Sequence, residues 1–194
     1  LSGVSYNMAI DSVHHRLFVP DFSNNRVLIF NLNSSNQLVD KIPDNVLGQT
    51  TFYTNTGATT QAGIINPRSV AYDSVNDRLF VAQGSSAHRV TVYDVASITN
   101  GENAVNVLGQ TTFTGSSAAV TQAGMDNPLG LVYDTTNDKL FVMQTNASRV
   151  TVYDVASITD GENASDLIGQ YPEQQQVTLS QERIMDQTYL GSVQ

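Results

Sequence analysis

The 194 residues carry nine basic side chains against eighteen acidic ones, a net charge of −9, and only two of the bases are lysines, Lys41 and Lys139. That balance predicts no nucleic-acid partner, because phosphate binding needs clustered Lys and Arg to release counterions, and no electrostatic docking on anionic membranes. The chain has no cysteine, which excludes disulfides, thiol chemistry and thiolate metal sites, and no apolar run approaches the ~20 residues that membrane insertion of a helix needs.

One pattern organises the rest. Arg89–Thr99 reads Arg-Val-Thr-Val-Tyr-Asp-Val-Ala-Ser-Ile-Thr and recurs letter for letter at Arg149–Thr159, sixty residues later; Arg26–Leu32, Arg-Val-Leu-Ile-Phe-Asn-Leu, is a decayed copy. An eleven-residue identity at that distance marks a repeat protein.

Each unit reads as four short strands. The first is expected over Val4–Ile10, Pro67–Tyr72 and Pro128–Tyr133. A turn built on Asp11, Asp73 or Asp134 follows, since Asp and Asn side chains bond their own backbone two residues on. The second strand is Arg16-Leu-Phe-Val, Arg78-Leu-Phe-Val-Ala or Lys139-Leu-Phe-Val-Met, a nearly all-apolar run suited to burial on both faces. Polar loops 21–25, 83–88 and 144–148 lead to the third strand, whose β-branched and aromatic residues suit a sheet. Asp-Val-Ala-Ser-Ile-Thr after it is read as one helical turn, ended by Asn100-Gly101 and Asp160-Gly161. The fourth strand covers Asn45–Gly48, Ala104–Gly109 and Ala164–Gly169, each closing on Leu-Gly-Gln or Ile-Gly-Gln.

These units divide the chain into blade 1 at 1–49, a connector at 50–66, blade 2 at 67–110, a connector at 111–127, blade 3 at 128–170 and an unmatched tail at 171–194. Both connectors contain Thr-Gln-Ala-Gly and end in Asn-Pro, where proline costs no ladder donor. In the tail, Ser180 is expected to cap a short helix over 181–187. The expected fold is all-β: a propeller of four-stranded antiparallel blades, three per chain.

The motif Asn-Pro-x-x-Val-Ala-Tyr-Asp-x-x-x-x-Arg-Leu-Phe-Val, a polar loop, then Arg-Val-x-Val-Tyr-Asp resembles the NHL repeat over residues 1–170, clearly in units two and three and less so in unit one, where Pro20 ends the second strand and Asn31 replaces the Asp. The roughly 60-residue period and long connectors depart from the family pattern. The resemblance implies closure at six blades. Three blades leave two apolar faces in water, which implies a partner: a homodimer that completes the ring, or further blades of a longer chain.

The resemblance and the polar loops predict a non-catalytic binding scaffold rather than an enzyme. No cofactor is expected, and the face carrying loops 50–66, 83–88, 111–127 and 144–148 is expected to present a protein or glycan ligand. Its candidate binding residues are Asn66, His88, Asp126, Asn127 and Asn146. Resemblance to calcium-dependent lactonase propellers implies an alternative, a lyase or lactonase with calcium near Asn66, Asp126 and Asn127. A structural surface or filament subunit is the third reading. His14 and His15 lie on the opposite face from His88, so no shared histidine metal site is expected. Asp11, Asp73, Asp134, Asp94 and Asp154 recur once per unit, as do Arg26, Arg89 and Arg149, which predicts structural ion pairs. The Lys-poor, Ser/Thr/Asn-rich composition suits an extracellular or cell-surface protein, with sequons at Asn33, Asn146 and Asn163. A start at Leu1, in mid-pattern, suits a mature or trimmed product.

Overall fold

The computed structural model describes residue 1, residue 3 and residues 5–169. They form three four-stranded antiparallel sheets, each in simple sequence order: β1 (Ala9–Asp11), β2 (Arg16–Asp21), β3 (Arg26–Asn31) and β4 (Asn45–Leu47); β5 (Pro67–Asp73), β6 (Arg78–Gln83), β7 (Arg89–Asp94) and β8 (Asn106–Leu108); β9 (Pro128–Asp134), β10 (Lys139–Gln144), β11 (Arg149–Asp154) and β12 (Asp166–Gly169). First strands of neighbouring sheets stand close together, β1 against β5 and β5 against β9, while the fourth strands splay apart. This is the blade arrangement of a propeller, with first strands innermost. The expected first strand of unit one is short, beginning only at Ala9; Val4, its expected start, and the tail helix over 181–187 lie outside the described residues.

The expected helical turn after the third strand is absent. Asp94 Oδ1 instead accepts the Ala96 N–H at 3.0 Å and Asp154 Oδ1 the Ala156 N–H at 3.2 Å. This local alternative to a helix is the one Asp favours. The Asp-led turns between first and second strands form as read: Asp11 Oδ1 accepts from Val13 and His14 N–H, Asp73 Oδ1 from Val75 and Asn76, Asp134 Oδ1 from Thr136. Burial works against the charge on Asp11 and Asp73, but these N–H donors with Arg16 and Arg78 outweigh it and hold both carboxyls below the usual range.

Strand alternation explains the packing. In blade 2, Val70, Leu79, Val81 and Tyr93 meet Phe18, Val27, Ile29, Leu47 and Ile64 from blade 1 and its connector. The opposite face, with Ala71, Phe80, Ala82, Val90, Val92 and Leu108, meets Leu131, Leu140, Val142 and Tyr153 of blade 3. β7 is buried on both faces over Arg89–Tyr93, so the polar side chains on its one face, Arg89 and Thr91, are buried and hydrogen-bonded rather than solvated.

Each junction is then clipped by polar contacts that repeat. Asn100 Oδ1 accepts the Val46 N–H at 3.0 Å, and Asp160 Oδ1 the Val107 N–H at 2.9 Å. Gln61 Nε2 donates to the Ala104 carbonyl at 2.9 Å while Ala104 N–H returns a bond to the Gln61 carbonyl at 2.9 Å; Gln122 and Ala164 repeat both. Leu-Gly-Gln is needed here because Gly48 and Gly109 sit at φ +85°, and a Cβ there would lie 2.6 Å from Ile64 Cβ or 2.7 Å from Met125 Cγ.

Glu102 closes the Asn-Gly turn. Its Oε2 accepts the Thr99 N–H at 2.9 Å, but Oε1 is buried with no partner, as is the Tyr93 hydroxyl. Burial raises the Glu102 carboxyl above its ordinary value, only partly offset by the bonds from Thr99, and burial likewise pushes the Tyr93 phenol up to about 12. For an acid whose folded pKa is raised, ionisation costs the folded state more than the unfolded one, so the penalty appears as pH rises through 4.5 and above. Glu102→Gln keeps the bond to Thr99 and removes the charge. It is expected to raise the melting temperature near about pH 7, with the difference closing by about pH 4, where the native carboxyl is protonated; an unchanged or lowered Tm at neutral pH would show the charge to be stabilising.

Candidate binding face

The β2–β3, β6–β7 and β10–β11 loops and the two connectors lie at one end of the blades, where the first two loops are each stitched to the connector that follows and the third bonds the connector before it. Asn25 carries the first stitch. At φ +53° its side chain accepts the Asn66 N–H at 2.9 Å and donates to the Asn55 carbonyl at 2.8 Å. Gln49 Nε2 reaches both the Asn25 carbonyl, at 3.0 Å, and the Thr56 carbonyl, at 2.9 Å. One junction further on, His88 takes the place of Asn25: at φ +48° its Nδ1 accepts the Asn127 N–H at 3.1 Å.

Four of the five candidate residues gather at this second junction. Asp126 Oδ1 lies 3.3 Å from His88 Nδ1 and accepts from Asn146 Nδ2 at 3.1 Å. Asn127 Nδ2 donates to Thr145 Oγ1 at 2.8 Å and to Asn146 Oδ1 at 3.4 Å. His88 Nδ1 cannot accept from the Asn127 N–H and donate to Asp126 at once. Asn66 stands apart, at the equivalent point of the first junction, where its Oδ1 accepts from Ser86 Oγ at 3.1 Å. The recurrence of Asn66 and Asn127 at positive φ, 47° and 52°, is turn chemistry ahead of proline.

The ion-pair expectation for the recurrent arginines is met only in unit one, where Arg26 Nε bonds Asp21 Oδ2 at 2.9 Å. Arg89 and Arg149 pair with no carboxylate among the described residues. Each donates to the carbonyls of the preceding connector: Arg89 Nη2 to Gly63 at 3.0 Å and Thr60 at 3.2 Å, Arg149 Nη2 to Gly124 and Thr121 at 2.9 Å each. The sequence places arginine and aspartate on each strand but leaves open which of them meet. The turn aspartates are taken by the second-strand arginines instead, Asp11 by Arg16 at 2.6 Å and Asp73 by Arg78 at 2.6 Å.

At the far end of the blades, Asp11, His14 and Asp77 place ligand atoms close enough together to hold a metal ion, the one such group among the described residues. A cation already occupies it. Arg16 bonds Asp11 Oδ2 through Nε at 2.9 Å and Nη2 at 2.6 Å, lies 3.6 Å from Asp77 Oδ1, and also donates to the Val95 carbonyl. Both oxygens of Asp11 are engaged, so the group reads as a junction tie.

The residue that sequence reasoning passed over is Arg68. It is the second residue of β5, in a bulge where the register shifts between Pro67 and Ser69, and its guanidinium lies 4.1 Å from the Phe22 ring centroid and 5.9 Å from that of Tyr6. The available signal was disagreement between copies: counted back from the turn aspartates, units one and three carry Tyr6 and Leu129 at this position.

No protein-family model matches the chain, and no curated protein matches it in sequence. Solved structures match in fold. A chain of the mitotic checkpoint complex superposes with a TM-score of 0.50 at 14% identity, covering 86% of this chain and 37% of its own. RRP9 WD40 repeats give 0.50 at 13%, covering 84% and 38%. A chain of the nidogen/laminin complex gives 0.47 at 18%, covering 75% and 41%. The likeness establishes the all-β propeller-type fold, and this chain spans about two fifths of the length of the chains it resembles.

Proposed function

We propose that the chain is a non-catalytic, NHL-type binding scaffold of the cell exterior, presenting the connector face to a protein or glycan ligand, and that a second copy completes its ring. The observation that carries the ring closure is the contrast between equivalent faces. Ala71, Ala82 and Leu108 are buried under blade 3, whereas Val132, Met143 and Ile168, at the same positions of blade 3, are 64%, 42% and 58% exposed. At the other end, Met8, Leu17, Val19, Leu28, Phe30 and Leu38 line an open apolar cavity of about 460 Å³ on blade 1, where blades 2 and 3 each receive a neighbour.

Unit one has no Asn-Gly or Asp-Gly clip; its stretch 33–43 offers Leu38, Val39 and Ile42 to solvent instead. The closing junction therefore rests on apolar contact more than the internal ones do. A two-fold dimer pairs blade 3 of each copy with blade 1 of the other. One neighbour that superposes, from the mitotic checkpoint complex, comes from an assembly of proteins, in line with a scaffold role.

Mass in solution tests this. A discrete species of twice 21.0 kDa is expected, dispersed to monomer by Val132→Asp with Ile168→Asp, since two charges would be buried unpaired. A well-folded monomer at high concentration overturns ring closure by a second copy, and open-ended assemblies would favour a filament subunit.

A further inference from the structure

The two junctions inside the chain are clipped with the same polarity. Asn45 and Asn106 stand at equivalent points of their fourth strands, opposite Ile29 and Val92, and each donates through Nδ2 to the next blade. Asn45 reaches the Ile98 carbonyl at 3.4 Å and Asn100 Oδ1 at 3.3 Å; Asn106 reaches the Ile158 carbonyl at 3.3 Å and Asp160 Oδ1 at 3.2 Å. The same Oδ1 atoms take the N–H of Val46 and Val107. At both junctions the earlier blade donates and the later blade accepts.

The outer edge of blade 3 cannot serve in that way. Asp166 holds the equivalent place, opposite Val152, and a carboxylate has no hydrogen to donate. Its Oδ1 accepts the N–H of the neighbouring Leu167 at 2.7 Å. The edge therefore presents an exposed, charged acceptor where the inner blades present an amide donor.

Blade 1, which a second copy sets against this edge, differs in the opposite sense. Blades 2 and 3 carry Asn100 and Asp160 between their third and fourth strands; in the same interval blade 1 carries Lys41. Lys41 is exposed, lines the open apolar cavity and bonds nothing among the described residues, whereas the other lysine, Lys139, is held by Asp154 at 2.6 Å. The carboxylates near it in sequence are turned to the backbone: Asp40 Oδ1 accepts the Ile42 N–H and Asp44 Oδ2 the Asn31 N–H, each at 2.7 Å. Donor and acceptor have exchanged sides.

We propose that Lys41 of each copy pairs with Asp166 of the other, so that an ion pair at each closing junction replaces the amide clips of the internal ones. This rests on ring closure by a second copy. Lysine suits the role because its ammonium rides on a flexible stem and carries three donors. The pair also sets which blades meet: against an Asp160 clip the Asp166 carboxylate would face a like charge, so the edge of blade 3 selects blade 1.

Charge reversal tests this by sedimentation equilibrium of the intact chain. Lys41→Asp and Asp166→Lys each set like charges against one another at both junctions, and each is expected to weaken dimerisation at least tenfold. Mixed in equal amounts, the two variants are expected to associate within about threefold of the native strength, because both junctions of the mixed dimer again join opposite charges. Asp166→Asn keeps an acceptor for the Leu167 N–H and loses only the charge; a weakening of about threefold is expected. A dimer indifferent to both reversals, or a mixture no stronger than its components, overturns the pairing and leaves ring closure standing. A native chain that stays monomeric at high concentration overturns both.

Discussion

Arg89→Met is expected to destabilise the chain by about 3–5 kcal/mol, the cost of leaving several buried acceptors unmatched at once. Arg89 is fully buried. Its Nη2 donates to the Thr60 and Gly63 carbonyls of the first connector and to Gln83 Oε1 at 3.1 Å, while Nη1 donates to the Phe113 carbonyl of the second connector. One side chain therefore ties both connectors to the middle blade. Burial pulls its pKa below the ordinary arginine value, yet it stays charged, so every carbonyl it serves receives a charge-assisted bond. Methionine fills the space but donates nothing. For a domain of this size the loss corresponds to a fall of roughly 6–20 °C in melting temperature. Arg89→Lys is expected to recover little, because one ammonium cannot span acceptors on two connectors. A loss below about 1 kcal/mol in thermal or urea denaturation would mean that water replaces the guanidinium, and the account of the connectors would fail.

The second large effect is a contrast. Phe80 is fully buried between blades 2 and 3, with its ring 5.8 Å from that of Tyr133. Phe80→Ala should cost about 3–5 kcal/mol, the usual range for a truncated core aromatic. Phe141 holds the same place in blade 3: Phe80 pairs with Val92, Phe141 with Val152. No described residue packs over it as Tyr133 packs over Phe80, and it is only half-buried. Phe141→Ala in a monomeric chain should cost about 1 kcal/mol or less. Measured where a second copy is bound, the cost should rise toward that of Phe80→Ala and should depend on protein concentration. Equal costs at every dilution would show that blade 3 is covered from within its own chain.

The architecture was legible because a propeller blade writes its needs into every copy. Strand two must be apolar on both faces, strand three must alternate between two neighbours, and Asp at the turn must bond its own backbone. Each of these is a local demand, and three copies state it three times. The helical turn after strand three was misread for the converse reason: Val-Ala-Ser-Ile-Thr has no repeat-level cue against a helix, and the deciding event is the Asp94 side chain capturing the Ala96 N–H.

The site was only partly legible. Asn66, His88, Asp126, Asn127 and Asn146 were marked from their loops, but chain order could not show that His88 reaches across thirty-nine residues to the Asn127 N–H while Asn66 belongs to another junction. Partner choice among Arg89, Arg149 and the aspartates was equally closed to sequence, because strand neighbours present several carboxylates and carbonyls at similar separations. The residues by themselves determined the number of units, the four strands in each, the turns and the burial of the central strands, since those follow from periodicity and local backbone chemistry. Tertiary structure alone decided which blade faces are covered, which arginines serve carbonyls rather than carboxylates, and that Arg68 stacks on the rings of Phe22 and Tyr6. Those outcomes depend on packing between units far apart in the chain, where no local pattern records the partner.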